Sequence, residues 1–261
     1  MLLFEQILSV AKKYNLPANN PKMILVQYLQ CEILDSLYKL APNLHFIGGT
    51  CLCLLHGLPR FSEDLDFDNF DLKQNNFKMI IKKLDYDLKL KGFDVNFRLT
   101  FKDAYHCYFK FNKLLYDNKL SPYKEQKILI RLDTTRQRIK VKKEVKMLKR
   151  FGITREILSN PIETIMSQKI TALLERKRAK GRDFFDFLWL QSLTSPDFAY
   201  LKSFADIKNK NELNKAIQKR ISKLDFKKLA KDVEKFLFNR QDVEKIINFK
   251  KYFSYIIKDK I

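Results

Sequence analysis

Residues 44–70, LHFIGGTCLCLLHGLPRFSEDLDFDNF, decide the reading of this 261-residue chain. The stretch opens on an apolar segment (Leu44, Phe46, Ile47), passes Gly48-Gly49-Thr50 and enters a short apolar helix. It then reaches Arg60 and Ser62 before carboxylates at every second position, Asp64, Asp66 and Asp68. In an extended chain, side chains two apart share a face and lie about 7 Å apart along the strand. Asp64 and Asp66 therefore point the same way, while Leu65 and Phe67 turn to the core.

Carboxylates this close raise one another's pKa unless a cation sits between them. Hard divalent ions take oxygen ligands, and Mg²⁺ is commonly held by one or two carboxylates plus substrate phosphates. The glycine pair supplies the complementary half of such a site. Without Cβ atoms the backbone can approach a ligand, and N–H groups at a helix start suit a triphosphate. Thr50 can cap that helix or touch phosphate. A strand, then Gly-Gly-Thr, a two-turn helix and R-x-S-x-D-x-D point to a nucleotide-and-metal site, with phosphoryl or nucleotidyl transfer as its chemistry. A D-x-D alone is common on solvated strand ends, and the whole ordered arrangement carries the weight. It resembles the nucleotidyltransferase superfamily with the polymerase-beta-like fold.

Working outward, the chain is long enough for one large or two modest domains with real cores. Its 46% hydrophobic content fits a globular protein. The formal net charge of +21 favours a polyanionic partner, most simply nucleic acid. Cys31, Cys51, Cys53 and Cys107 show no C-x-x-C spacing and read as core residues of a reducing compartment. His45, His56 and His106 are scattered and read as structural. No leader pattern or membrane-length apolar run is present, so a cytoplasmic protein without membrane partners is expected.

Helices are predicted over residues 2–14 and 22–40, the second with Pro21 at its first position. A further amphipathic helix spans 75–91, ended by Gly92, and strands follow at 93–99, 105–111 and 127–134. The last, KILIRLDT, ends in Asp133. A third carboxylate from a neighbouring strand is what two-metal chemistry wants, to ligate a metal and accept the proton of the incoming hydroxyl; the plain alternative is a strand-end residue opening a turn. The basic run over 136–150 is either a solvated edge strand or a phosphate-tracking surface. A helix from Pro161 carries Lys169 and Arg176 on one side. Gly181 separates it from the next, where Asp183 and Asp186 share a face at i and i+3. The plain reading makes Asp183 an N-cap and Asp186 an ion-pair partner; the functional one turns Lys169 and one of the aspartates to the nucleotide. Residues 198–206, 211–222, 225–238 and 241–257 are predicted helical, with lysines over their polar faces.

The ordered series GGT, R-x-S-x-D-L-D-F, a strand ending in Asp, a helical Lys and R-D-x-x-D-F resembles the AbiEii/AbiGii-type nucleotidyltransferase toxins, which include the MenT-like enzymes. The likeness covers roughly residues 44–190. It implies a toxin of a bacterial toxin–antitoxin or abortive-infection system that uses an NTP and Mg²⁺ or Mn²⁺. Its acceptor would be an RNA, with the 3′ end of tRNA foremost, and a cognate antitoxin is expected. Carried over by residue, it implies that Gly48, Gly49 and Thr50 bind the triphosphate, that Asp64 and Asp66 hold metal, and that Lys169 contacts the nucleotide. Asp183 matches the late motif aspartate and Asp186 its partner, while Arg60 and Ser62 fall at positions suited to phosphate contacts. Asp133 follows from the wider superfamily as a third metal carboxylate. Two residues separate Asp183 from Asp186 where three are usual, and Thr171 follows Lys169 by two residues rather than four or five. Which aspartate is essential stays open.

The expected fold is α+β, a polymerase-beta-like nucleotidyltransferase domain with a mixed sheet flanked by helices, followed by an all-α region. The division expected is 1–155, including two N-terminal helices, and 156–261, a helical domain completing the active-site cleft. Nucleotidyl transfer to a small molecule or a protein hydroxyl, and a catalytically silent nucleotide-binding module, are the alternatives. A cationic antibiotic would be repelled by so basic a surface, and a silent module gains nothing from clustered carboxylates.

Overall fold

The computed structural model describes residues 1–102, 104–137 and 139–258. Contacts within the chain divide it into two units, residues 1–57 with 61–160, and residues 58–60 with 161–261.

The first unit begins with α1 (Phe4–Lys13) and α2 (Pro21–Leu40). Asn20 caps α2 by accepting the Met23 N–H, and Pro21 takes the first position, where no N–H is required. Then come β1 (His45–Ile47), α3 (Gly48–His56), β2 (Leu65–Asn69), α4 (Gln74–Leu90), β3 (Val95–Phe101), β4 (Tyr105–Phe111) and the single turn α5 (Leu114–Asp117). β5 (Ile128–Arg136), β6 (Glu144–Arg150) and β7 (Ile153–Ser159) complete the unit.

Its strands form one mixed sheet in the order β3-β4-β5-β2-β1-β7-β6. β1 runs antiparallel to β2 and parallel to β7, and β2 runs parallel to β5. Register divides the residues between two faces. Leu65 lies beside Leu132 and Phe67 beside Thr134, and these side chains are buried with Phe46, Ile130, Cys107, Phe109 and Phe111. Helices α2 and α4 pack against this sheet, Tyr38 meeting Phe67 and Phe77 meeting Phe101 and Tyr105. Each phenylalanine so buried contributes about 1.5–3 kcal/mol. The Tyr38 hydroxyl lies 2.7 and 2.8 Å from the carbonyl oxygens of Leu44 and Leu158, tying the ends of β1 and β7 together. The opposite face carries the polar residues.

β7 was not expected from the sequence, because the alternation over Ile153-Thr154-Arg155-Glu156 is broken by two charged residues. β6 is an edge strand bearing Lys146 and Lys149, in keeping with the basic edge expected over 136–150; Arg138 in that run lies outside the described residues.

The second unit is helical: α6 (Ile162–Glu175), α7 (Gly181–Gln191), α8 (Phe198–Ala205), α9 (Lys210–Ser222), α10 (Phe226–Glu234), a short 3₁₀ turn (Arg240–Asp242), α11 (Val243–Ile247) and α12 (Phe249–Lys258). The helix predicted over 241–257 is thus interrupted at Asn248. Phe184 meets Phe226 and Phe249 edge to face, and Phe226 stacks on Phe249 at 5.2 Å between centroids. Gly181 lets α7 start directly on α10, since a Cβ there would lie 1.9 Å from the Leu229 carbonyl oxygen. Residues 58–60 join this unit through an isolated bridge of Arg60 with Leu237 and a bond from the Phe238 N–H to the Pro59 carbonyl.

Candidate active site

β1 delivers the chain to Gly48, whose φ of +80° is open to glycine without strain. Close approach also demands glycine here. A Cβ on Gly48 would lie 2.4 Å from Oδ2 and 3.0 Å from Cβ of Asp66. Asp66 sits beside Ile47 on one neighbour strand and beside Asp133 on the other. The glycine start of α3 and two carboxylates are therefore brought to one place on the polar sheet face. Thr50 is buried, and its hydroxyl donates to the Asp64 carbonyl, fixing the residue that leads into β2. Of the two roles the sequence leaves open to Thr50, capping is not taken up, since no side chain caps α3. Ser62 is half-buried, and the carbonyls of Ser62 and Glu63 accept from Gln30 at 2.9 and 3.0 Å.

Arg131 and Asp133 project from β5 toward the same carboxylates. The Arg131 Nη2 donates to Asp64 Oδ2 at 2.9 Å, and its Nε is 3.0 Å from Asp133 Oδ2. Burial alone would lower the Arg131 pKa, but Asp64, Asp133 and Asp66 together raise it. The other oxygen of Asp133 is 2.7 Å from His106 Nδ1, on the adjacent strand. Asp68 behaves differently. It is 1% exposed, and Gln137 and Asn160 each donate to it at 2.6 Å, with His45 2.7 Å from Asn160 in turn. Both its oxygens are hydrogen-bonded inside the fold, as a buried polar group requires.

Among the described residues no group of three or more His, Cys, Asp or Glu side chains is arranged as a metal cage. The donor chemistry nonetheless fits a hard cation of the Mg²⁺ type. Such an ion needs few protein carboxylates, takes its remaining ligands from phosphate and water, and finds in Asp64 and Asp66 two half-buried oxygen donors beside a glycine backbone.

In the second unit, α6 and α7 bring a different set together. Asp186 is fully buried, and Arg60 grips it with Nε at 2.6 Å and Nη2 at 2.7 Å. Lys169 Nζ lies 2.8 Å from the same carboxylate. Burial would raise the Asp186 pKa, but the charges of Arg60 and Lys169 outweigh it and bring it to about 2. One helical turn earlier, Arg176 Nη1 is 3.2 Å from Asp183, which is 1% exposed. Lys169 on α6 and Arg176, the residue that follows the helix, thus meet the acidic pair three apart on α7. Asp183 makes no capping bond. Arg60, expected to meet phosphate, is only 1% exposed and has its guanidinium turned onto Asp186.

Glycines at the start of α3, alternating aspartates on β2, and a Lys169–Asp186 pair in a helical unit form the set of parts expected of a nucleotidyltransferase. The model of the family described as nucleotidyl transferase AbiEii toxin, type IV toxin–antitoxin system, matches residues 32–252. The chain belongs to the AbiEii nucleotidyltransferase toxin family. Its fold is similar to that of JHP933 from Helicobacter pylori, at 18% identity and a TM-score of 0.55, over 91% of this chain and 93% of that one. A second H. pylori structure, of a candidate nucleotidyltransferase, is similar at 18% identity and a TM-score of 0.57, over 92% of this chain and 98% of the other. No curated protein matches the chain in sequence. Among its described residues this AbiEii-family chain has no helix long and apolar enough to cross a membrane.

Two residues of the polar face escape a reading of the sequence. Arg131 could have been found from its position two before Asp133 on an alternating strand. His106 could have been found from its alternation with the buried Cys107, which sets it on the polar face.

Proposed function

We propose that this AbiEii-family chain is a metal-dependent cytoplasmic toxin. It transfers NMP from an NTP to the 3′ end of an RNA, foremost the acceptor end of tRNA, and so blocks translation until a cognate antitoxin intervenes. The observation that carries the reading is the close seat of Gly48 against Asp66, with Asp133 in register beside it. A backbone pressed this near a carboxylate has a use where phosphate and cation must be held together.

In this account the N–H groups of Gly48, Gly49 and Thr50 bind the triphosphate at the start of α3. Asp64 and Asp66 hold Mg²⁺ or Mn²⁺, which when bound neutralises phosphate charge and polarises the α-phosphorus. Asp133, oriented by His106, accepts the proton of the attacking hydroxyl. The motif order assigns Lys169 to the nucleotide, and the buried Asp186 supports that role by fixing the ammonium group. Arg60 then acts by orienting Asp186. Asp183, held by Arg176, keeps the start of α7 in place. Ser62 precedes the acidic strand closely enough in sequence to assist at a phosphate. The charge of +21 supports an RNA acceptor through counterion release.

The test is incubation of the protein with total tRNA, Mg²⁺ and each α-labelled NTP in turn, beside Asp64→Ala and Lys169→Ala. Label passing to tRNA from one NTP, and lost in both variants, is expected. Label that appears only on protein or small molecules would overturn the RNA acceptor.

A further inference from the structure

Three carboxylates share the polar face around Gly48, and the structure shows what neutralises two of them. Arg131 rises from β5 between Asp64 and Asp133, donating to Asp64 from Nη2 and approaching Asp133 with Nε, at 2.9 and 3.0 Å. Both pairs are partly shielded, with side-chain exposures of 37% for Arg131, 26% for Asp64 and 13% for Asp133. The Asp133 oxygen that Arg131 does not face is occupied by His106. Tyr108, beside Arg131 on β4, carries Arg98 over its ring at 5.2 Å, so a second cation borders the row.

We infer that Arg131 is a placeholder cation: it holds the carboxylate Asp64 and competes for it with a divalent ion. The inference rests on the assignment of Asp64 and Asp66 as metal ligands. Its physical basis is simple competition. Arg131 takes up Asp64 Oδ2, and an ion bound to either oxygen would stand close enough to the guanidinium for the two cations to repel. Without Arg131, three carboxylates would face one another uncompensated, and the metal-free face would be less stable. Arg131 thus holds the face together and weakens its affinity for the ion. Metal uptake becomes linked to arrival of the triphosphate, whose negative charge gives the displaced guanidinium a new partner and adds oxygens to the ion.

The test measures Mn²⁺ binding to the full chain by electron paramagnetic resonance of the free ion, together with thermal unfolding in the absence and presence of Mn²⁺. Arg131→Gln is compared with wild type, Arg131→Lys and Asp64→Asn. A partly exposed charge pair of this kind is worth a modest amount, so Arg131→Gln is expected to bind Mn²⁺ about two- to fivefold more tightly than wild type. It should also unfold at a lower temperature without metal and gain more from Mn²⁺. Arg131→Lys, which keeps the charge, should stay near wild type, and Asp64→Asn should lose binding. Equal or weaker affinity in a folded Arg131→Gln protein overturns the placeholder role alone. Saturable binding that survives Asp64→Asn, or no binding in any of the proteins, overturns the metal assignment and the placeholder with it.

Discussion

Replacing Gly48 by alanine isolates the close approach on which the site depends. Two separate costs arise. A residue with a Cβ at a φ of +80° carries backbone strain of about 1–2 kcal/mol. The added methyl would also stand 2.4 Å from Asp66 Oδ2 and 3.0 Å from its Cβ, so rotating the carboxyl away does not relieve it completely. Because Asp66 is set on a central strand, either the start of α3 or the strand must shift, at about 1–3 kcal/mol. Gly57→Ala provides the control. Its φ is +83°, nearly the same, yet a Cβ there meets nothing within 4 Å. Subtracting the two variants in urea denaturation removes the backbone cost and leaves the contact, expected at about 1–3 kcal/mol. Gly57→Ala should keep transferase activity, and Gly48→Ala should lose it by about a hundredfold or more, because displacement by an ångström at a reacting centre is that costly. Equal stability of the two variants, with activity retained in Gly48→Ala, refutes the reasoning.

Asp186→Ala takes away the buried carboxylate that Arg60 and Lys169 both face, and a loss of about 3–5 kcal/mol is expected in chemical denaturation; Arg60→Met with Asp186→Leu should recover much of it. An Asp186→Ala protein of wild-type stability would contradict the buried pair. Asp35 supplies a pH dependence: burial would raise its pKa, but hydrogen bonds from Lys91, Arg155 and Lys39 bring it down to about 2. A depressed carboxyl stabilises fully above its unfolded value of about 3.9 and loses that contribution as pH falls toward 2. Melting curves of Asp35→Asn should therefore lie below wild type at pH 7 and converge with it near pH 2, and a constant gap would refute the linkage. Gly181→Ala, with its Cβ forced onto the Leu229 carbonyl, should destabilise the helical unit by more than an ordinary helix-interior change, read as a lower melting temperature.

Much of the fold was readable in local pattern. The strand–glycine–helix–strand order around Gly48 holds, and Tyr105–Phe111 forms a strand with the bounds its aromatic alternation predicts. The spacing of three places Asp183 and Asp186 together at the start of α7, where Lys169 of α6 meets Asp186 and Arg176, just past the end of α6, meets Asp183. What local pattern could not supply is partnership across strands. Arg131 reads as a polar residue in a β pattern until the register sets it beside Asp64. Arg60, between Pro59 and Phe61, reads from the motif as a phosphate contact, and its place in the helical unit, against Asp186, explains why it is buried. β7 has a weak pattern of its own and is stabilised by pairing with β1 and β6. The break at Asn248 falls within a continuous apolar stripe, where periodicity gives no stop signal.

The most direct test of nucleotidyl transfer at the Gly48–Asp66 site uses one NTP labelled either at the α- or at the γ-phosphate, with tRNA as acceptor and Asp66→Asn as control. The account predicts α-label on the RNA, γ-label leaving as pyrophosphate, and neither event in Asp66→Asn. Transfer of the γ-label to the acceptor, or α-label transfer undiminished in Asp66→Asn, would contradict it.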